Sequence, residues 1–277
     1  MKYLVENNVI MFEKTNEFDI KSILECGQLF RYFKVDDGYK VITGRHIAHI
    51  TEKEDLVYIT CDDAKVFVDY FDLDTDYQSI NYNLKKIDAL KDAVEFGEGI
   101  RIVKGNPEEV ILQFIVSQNN NIKRIQKIIE KMSELGEDIV DEHKSFPTAK
   151  MLSKMPIEYF KTLGAGYRDV YLKQTADVLA KTDMAEIAKL KDKDLYDWLI
   201  NLKGVGPKVA SCIMLFGFHR TNYFPVDTWI EKVYRQYFYV GEMSRPQMSQ
   251  FLGEKFGVMS GIAQQYLFNF VRNSTSR

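Results

Sequence analysis

The chain has 277 residues, 45% of them hydrophobic and 28% charged, which is enough apolar material for a substantial core and excludes a mainly disordered protein. No stretch is apolar enough to span a membrane, and MKYLVENNVIMFEK has no basic start followed by a long apolar run, so a cytoplasmic protein is expected. Cys26, Cys61 and Cys212 lack any paired metal-ligand spacing, which argues against zinc, iron–sulfur and disulfide scaffolds alike. The formal net charge of -3 is unevenly spread. Residues 1–95 carry 12 Lys+Arg against 19 Asp+Glu, and residues 96–277 carry 25 against 21. Phosphate binding needs basic groups only where a nucleic acid lies, so overall acidity does not exclude DNA.

In chain order, the first part, to about residue 80, reads as strands. YKVITG, RHIAHITE and DLVYITC alternate or are β-branched, and Asp37-Gly38 signals a hairpin. From about residue 84 the pattern turns helical. Asn106-Pro107-Glu108-Glu109 supplies an N-cap, a proline at N1 and first-turn acids ahead of VILQFIVSQ. Ile122, Ile125, Ile128, Ile129 and Met132 repeat at helical spacing, and GEDIVDEHKSFP reads as an exposed loop. Further helices are expected at about 149–154, 157–163, 168–181, 184–189, 193–202, 207–217, 228–238, 245–255 and 258–271. The expected architecture is α+β: an antiparallel sheet domain over 1–95, then a mainly helical domain over 96–277.

The segment LKGVGPKVASCIMLFGFHRTNYFPVD, residues 202–227, carries the most chemistry. Gly204 and Gly206 flank Val205 in a turn tight enough for backbone N–H groups to approach a phosphate, and Pro207 suits the first position of a helix. Lys208 falls in that helix's first turn, which makes it a candidate amine nucleophile. Cys212, four residues on, shares its face, while Val209, Ile213 and Phe216 lie on another that can be buried. Asp227, opening the next helix, is placed as an N-cap carboxylate.

A hairpin, a lysine at the start of the second helix and a Pro-Val-Asp some twenty residues on resemble the helix-hairpin-helix DNA glycosylases, with the motif spanning about 193–217. Within that superfamily the resemblance is to the 8-oxoguanine-DNA glycosylases. CGQLFR (26–31), SQNNNIKR (117–124), LGAGYR (163–168) and AQQYLF (263–268) each match a family segment, in the family's order. The resemblance implies a bifunctional glycosylase/lyase that acts as a monomer on double-stranded DNA containing oxidised guanine, with no cofactor and no metal. A base inside a duplex is out of reach, so such an enzyme extrudes it, at roughly a few kcal/mol in lost stacking and pairing.

By this resemblance Asn119 and Tyr167 fill the gap, while Asn119, Arg124 and Arg168 read the orphaned cytosine. Gly27, Cys212, Gln264 and Phe268 form the slot for the extruded base, the Gly27 carbonyl detecting the N–H that oxidation adds to guanine. Lys208 is the nucleophile and Asp227 the carboxylate that stabilises charge developing on the sugar. Gly204, Val205, Gly206 and Trp229 face the DNA backbone, Trp229 standing where many members carry a histidine. A helix start costs an ammonium only about 0.3–1 kcal/mol, too little to free the amine. Burial under DNA, or proton transfer to a neighbour such as Cys212, must supply the rest. Two alternatives stay open: a glycosylase of the same superfamily for another damaged base, and a non-catalytic damage-binding module.

Overall fold

The structure is a computed structural model that describes residues 1–140 and 143–274. Of the expected loop over 136–147, residues 141 and 142 lie outside the described residues. Strands β1 (Leu4–Glu6), β2 (Val9–Glu13), β3 (Tyr32–Val35), β4 (Gly38–Thr43), β5 (His46–Lys53) and β6 (Leu56–Cys61) form one antiparallel sheet in the order β1-β2-β6-β5-β4-β3. Its period-2 alternation puts Ile10, Phe12, Ile50, Val57 and Ile59 on one face, with Ile59 opposite both Ile10 and Ile50. That face packs on helices α1 (Ile20–Glu25) and α2 (Ala64–Tyr70), where Ile23, Phe67 and Phe71 join the same cluster.

The expected hairpin at Asp37-Gly38 is present, but its glycine has a different task. The turn is Asp36-Asp37, and Gly38 already pairs with Val35 on β3 and Thr51 on β5. A Cβ there would sit 2.0 Å from the Ile50 carbonyl oxygen, so the missing side chain lets β5 close on β4.

The remainder is helical: α3 (Tyr77–Lys85), α4 (Asp88–Phe96), α5 (Pro107–Ser117), α6 (Ile122–Ser133), α7 (Ala149–Ser153), α8 (Ile157–Thr162), α9 (Arg168–Leu179), α10 (Met184–Ala188), α11 (Asp192–Ile200), α12 (Pro207–Phe216), α13 (Thr228–Val233), α14 (Arg245–Phe256) and α15 (Ser260–Ser274). Asn106 caps α5 as expected, its side chain accepting from Glu109 N at 3.2 Å. Helices α5 and α12 are buried along most of their length and form the centre of the domain, where Phe114 and Phe216 stack at 5.6 Å.

Two expectations shift. α1 and α2 interrupt the strand region; α1 has too few turns for a readable period, and the Val-Phe-Val of α2 reads as strand until Asp63 caps it. The helix expected over 228–238 is α13 followed by one wider π-type turn, Tyr234–Phe238. The two buried clusters interleave along the chain, with Leu73 and Val103 in the sheet-side cluster and Tyr77 and Ile102 in the helical one. Cys26 and Phe30 also bury into the helical cluster, so the N-terminal segment contributes a turn to the other side.

Candidate active site

The residues expected to form the extruded-base slot come from three distant parts of the chain. α12 brings Lys208 and Cys212, α15 brings Gln264 and Phe268, and the turn after α1 brings Gly27, all lining one cavity of about 40 Å³ together with Phe114 and Asp227. That is the space of about one water molecule, so a purine enters only when a wall moves. Half-buried Phe268 is the least enclosed of the apolar walls.

Gly27 has φ +85, and a Cβ there would meet the Phe268 ring edge at 3.5 Å and the Arg272 guanidinium at 3.2 Å. Both the backbone conformation and the slot therefore require glycine. Its turn is pinned from several sides. Gln265 Nε2 donates to the Cys26 carbonyl at 2.8 Å, and Arg272 donates to the Glu25 carbonyl at 2.5 Å. Gln28 Nε2 donates to Ile23 and Arg101 carbonyls while its Oε1 accepts from Val103 N. Arg101, fully buried, in turn donates to the carbonyls of Glu17, Phe71, Asp72 and Thr75. Gln28, Arg101, Gln265 and Arg272 escaped the sequence reading. Spacing offered a cue for one of them, since Arg272 follows Gln264 and Phe268 at four-residue steps on α15.

Gln264 is 5% exposed, and its Oε1 has no hydrogen-bond partner among the described residues. A buried orphan amide oxygen costs about 1–3 kcal/mol unless something supplies a donor, which marks it as a group awaiting a ligand. Asp227 caps α13: its Oδ1 accepts from Trp229 N and Ile230 N, each at 2.9 Å, which holds the carboxylate against the slot.

Lys208 is exposed in the first turn of α12, its Nζ 5.6 Å from the Phe114 ring centroid. Burial pushes the Cys212 thiol up, and the hydrogen bond and charge of the neighbouring Lys208 partly offset this.

The hairpin is fixed by one conformation. Gly204 has φ +86, and a Cβ there would lie 2.5 Å from the Tyr171 ring. Gly206 is the N-cap of α12 with open space where a Cβ would be, and no side chain caps the helix. The Val205 side chain is buried and its N–H donates to the Leu202 carbonyl at 3.0 Å, which anchors the hairpin. Trp229 is half-buried, its backbone N–H already given to Asp227, and Lys232 Nζ lies 4.9 Å over its ring.

The expected gap-filling residues do project. Asn119 is exposed at φ +43, and Tyr167 is 57% exposed at the start of α9. Arg124 is exposed and donates one N–H to the Gly164 carbonyl at 3.0 Å. Arg168 is 4% exposed, and its guanidinium donates to the carbonyls of Ala165 (2.8 Å), Asn119 (3.1 Å) and Gln118, while its Nε has no partner among the described residues.

A glycine hairpin between two helices, a lysine one turn later and a capping carboxylate beside it define the helix-hairpin-helix class of DNA-repair folds. Residues 112–257 match the HhH-GPD superfamily of base excision DNA repair proteins, and residues 10–111 match the 8-oxoguanine DNA glycosylase N-terminal domain. The chain therefore belongs to the HhH-GPD superfamily, in the branch that carries the 8-oxoguanine DNA glycosylase N-terminal domain. It is 33% identical over 204 residues to the Arabidopsis thaliana N-glycosylase/DNA lyase OGG1, a match covering 65% of this chain and 56% of that protein. The structure superposes with a TM-score of 0.91 on the Clostridium acetobutylicum 8-oxoguanine glycosylase/lyase in complex with double-stranded DNA containing cytosine opposite 8-oxoguanine, at 34% identity over 99% of each chain. It shares only the fold with the 3-methyladenine DNA glycosylase of Archaeoglobus fulgidus, at TM-score 0.68 and 17% identity over 98% of this chain and 89% of that one.

Proposed function

We propose that the chain is a bifunctional DNA glycosylase and lyase that, as a monomer inside the cell, removes 8-oxoguanine opposite cytosine from double-stranded DNA. The observation that carries this reading is the convergence of Lys208, Asp227, the orphaned Gln264 amide oxygen and the pinned Gly27 turn on one cavity. Lys208 Nζ attacks the anomeric carbon; the glycosidic bond breaks, and the base leaves with its electron pair and takes up a proton. The Asp227 carboxylate stabilises the positive charge that builds on the sugar meanwhile. The amine loses its protons, the sugar ring opens and a Schiff base forms. Loss of a proton from the neighbouring sugar carbon then breaks the bond to the 3′ oxygen, and water releases the enzyme. No step calls for a metal or an organic cofactor.

Selectivity follows from the slot. Oxidation gives guanine a ring N–H, which the Gly27 carbonyl can accept, whereas unmodified guanine would set a lone pair against it at a cost on the order of 1–3 kcal/mol. Gln264 reads the Watson–Crick edge and Phe268 with Cys212 forms the two walls. On the opposite strand Asn119, Arg124 and Arg168 read cytosine, and Asn119 and Tyr167 fill the gap, the tyrosine ring wedging into the stack.

Borohydride reduction of the Schiff base tests the reading directly. Wild-type protein on a duplex with 8-oxoguanine opposite cytosine gives a covalent adduct, and Lys208→Gln gives none while still binding. Tight binding by the wild type without any adduct would favour the damage-binding module instead.

A further inference from the structure

Six contacts close into a ring that joins the phosphate-facing hairpin to both gap-filling residues. The Gly204 carbonyl accepts from Gln118 Nε2 at 2.8 Å. The Gln118 and Asn119 carbonyls accept from Arg168, whose guanidinium lies 4.4 Å from the Tyr167 ring centroid. The Tyr167 ring meets Tyr171 edge-on at 5.8 Å, and Tyr171 fills the space that a Cβ on Gly204 would need.

This ring lies outside the base slot, and its members come from the α5–α6 turn, the start of α9 and the α11–α12 hairpin. Three features show that it is held. Gln118 Nε2 also donates to the Ile115 carbonyl at 3.2 Å, so both N–H groups of its amide nitrogen are engaged. Arg168 is buried with its two terminal nitrogens engaged. Asn119 sits at φ +43, a conformation that a non-glycine residue adopts at a cost of about 1–2 kcal/mol and that the carbonyl contacts on either side hold in place.

We infer that Gln118 is a positioning residue that sets the spacing between the phosphate-gripping hairpin and the gap-filling pair Asn119 and Tyr167, so that grip on the backbone and insertion into the stack occur as one movement. The inference rests on the gap-filling roles proposed above. Its physical basis is that a side chain entering a base stack must arrive within a fraction of an ångström while the backbone is held at a fixed distance. Misplacement by about 1 Å costs on the order of 100-fold in rate. Gln118 touches neither the slot nor any residue of the chemistry.

The test separates extrusion from chemistry by using two substrates. A duplex with 8-oxoguanine opposite cytosine requires extrusion, whereas a duplex with an abasic site has no base to extrude and reports the lyase step alone. Gln118→Glu keeps the shape but removes the donor to Gly204, and Gln118→Met removes the amide altogether. For both variants, single-turnover excision of 8-oxoguanine falls about 10- to 100-fold while abasic-site cleavage stays within about threefold of wild type. Equal losses on the two substrates, or no loss on either, overturn the inference. A wild type that cleaves abasic DNA but never excises 8-oxoguanine overturns the substrate reading itself, which is a distinct result.

Discussion

The two faces of the active region are built by opposite means. On the slot side, around Gly27 and α15, the polar groups that shape the Gly27 turn are buried and tied to backbone carbonyls, with Gln28, Arg101 and Gln265 at the centre. On the side proposed to face DNA, Asn119 and Tyr167 are exposed, and only the struts behind them are fixed. In the proposed function, a slot that distinguishes one added N–H needs a rigid acceptor, which embedding in the core supplies. A proposed wedge into a base stack cannot be embedded, so its position is set from below. Damage to the slot side should therefore appear in stability as well as activity, and damage to the wedge in activity alone.

The largest expected stability loss comes from Arg101→Met, which leaves the carbonyls of Glu17, Phe71, Asp72 and Thr75 without their donor. The loss should reach about 3–5 kcal/mol by denaturant unfolding, the range for breaking buried charged networks. A value below 1 kcal/mol would mean that the slot is not core-supported. Gln265→Leu removes one donor, from the Cys26 carbonyl, and should cost about 1–3 kcal/mol. It should also lower the preference for 8-oxoguanine over guanine, read as a ratio of excision rates, because the turn that carries Gly27 loses its tie at the Cys26 carbonyl. Retained selectivity would detach that carbonyl from recognition. Tyr167→Ala should change stability by less than about 0.5 kcal/mol, since the ring is mostly exposed. The same variant should slow excision of 8-oxoguanine more than cleavage at an abasic site. A large fall in melting temperature instead would place Tyr167 in the fold and blur the contrast between the two sides.

Much of the fold was legible from local signals. The three long strands, the Asn106-Pro107 helix start, the hairpin and the Asp227 cap all depend on neighbours in sequence, where period, capping and turn chemistry operate. α1 and α2 were not legible, because short buried helices rich in branched residues carry no readable period. In the site, residue types announced the chemistry: a lysine one turn into a helix, a carboxylate at the next helix start, an amide and an aromatic four apart. The supporting residues announced nothing. Gln265 and Arg101 matter only because residues 239 and 30 positions away bring carbonyls to them.

By itself the sequence determined which groups could react and how each would be presented on its own element, since backbone period and capping act over a few residues. Only the tertiary structure decided what those groups face. It placed Arg168 beneath the Asn119 turn, turned the Val205 side chain inward, and buried Cys212, which pushes its thiol up. Burial and hydrogen-bond satisfaction are properties of the whole packed chain, so no local reading of residue type could assign them.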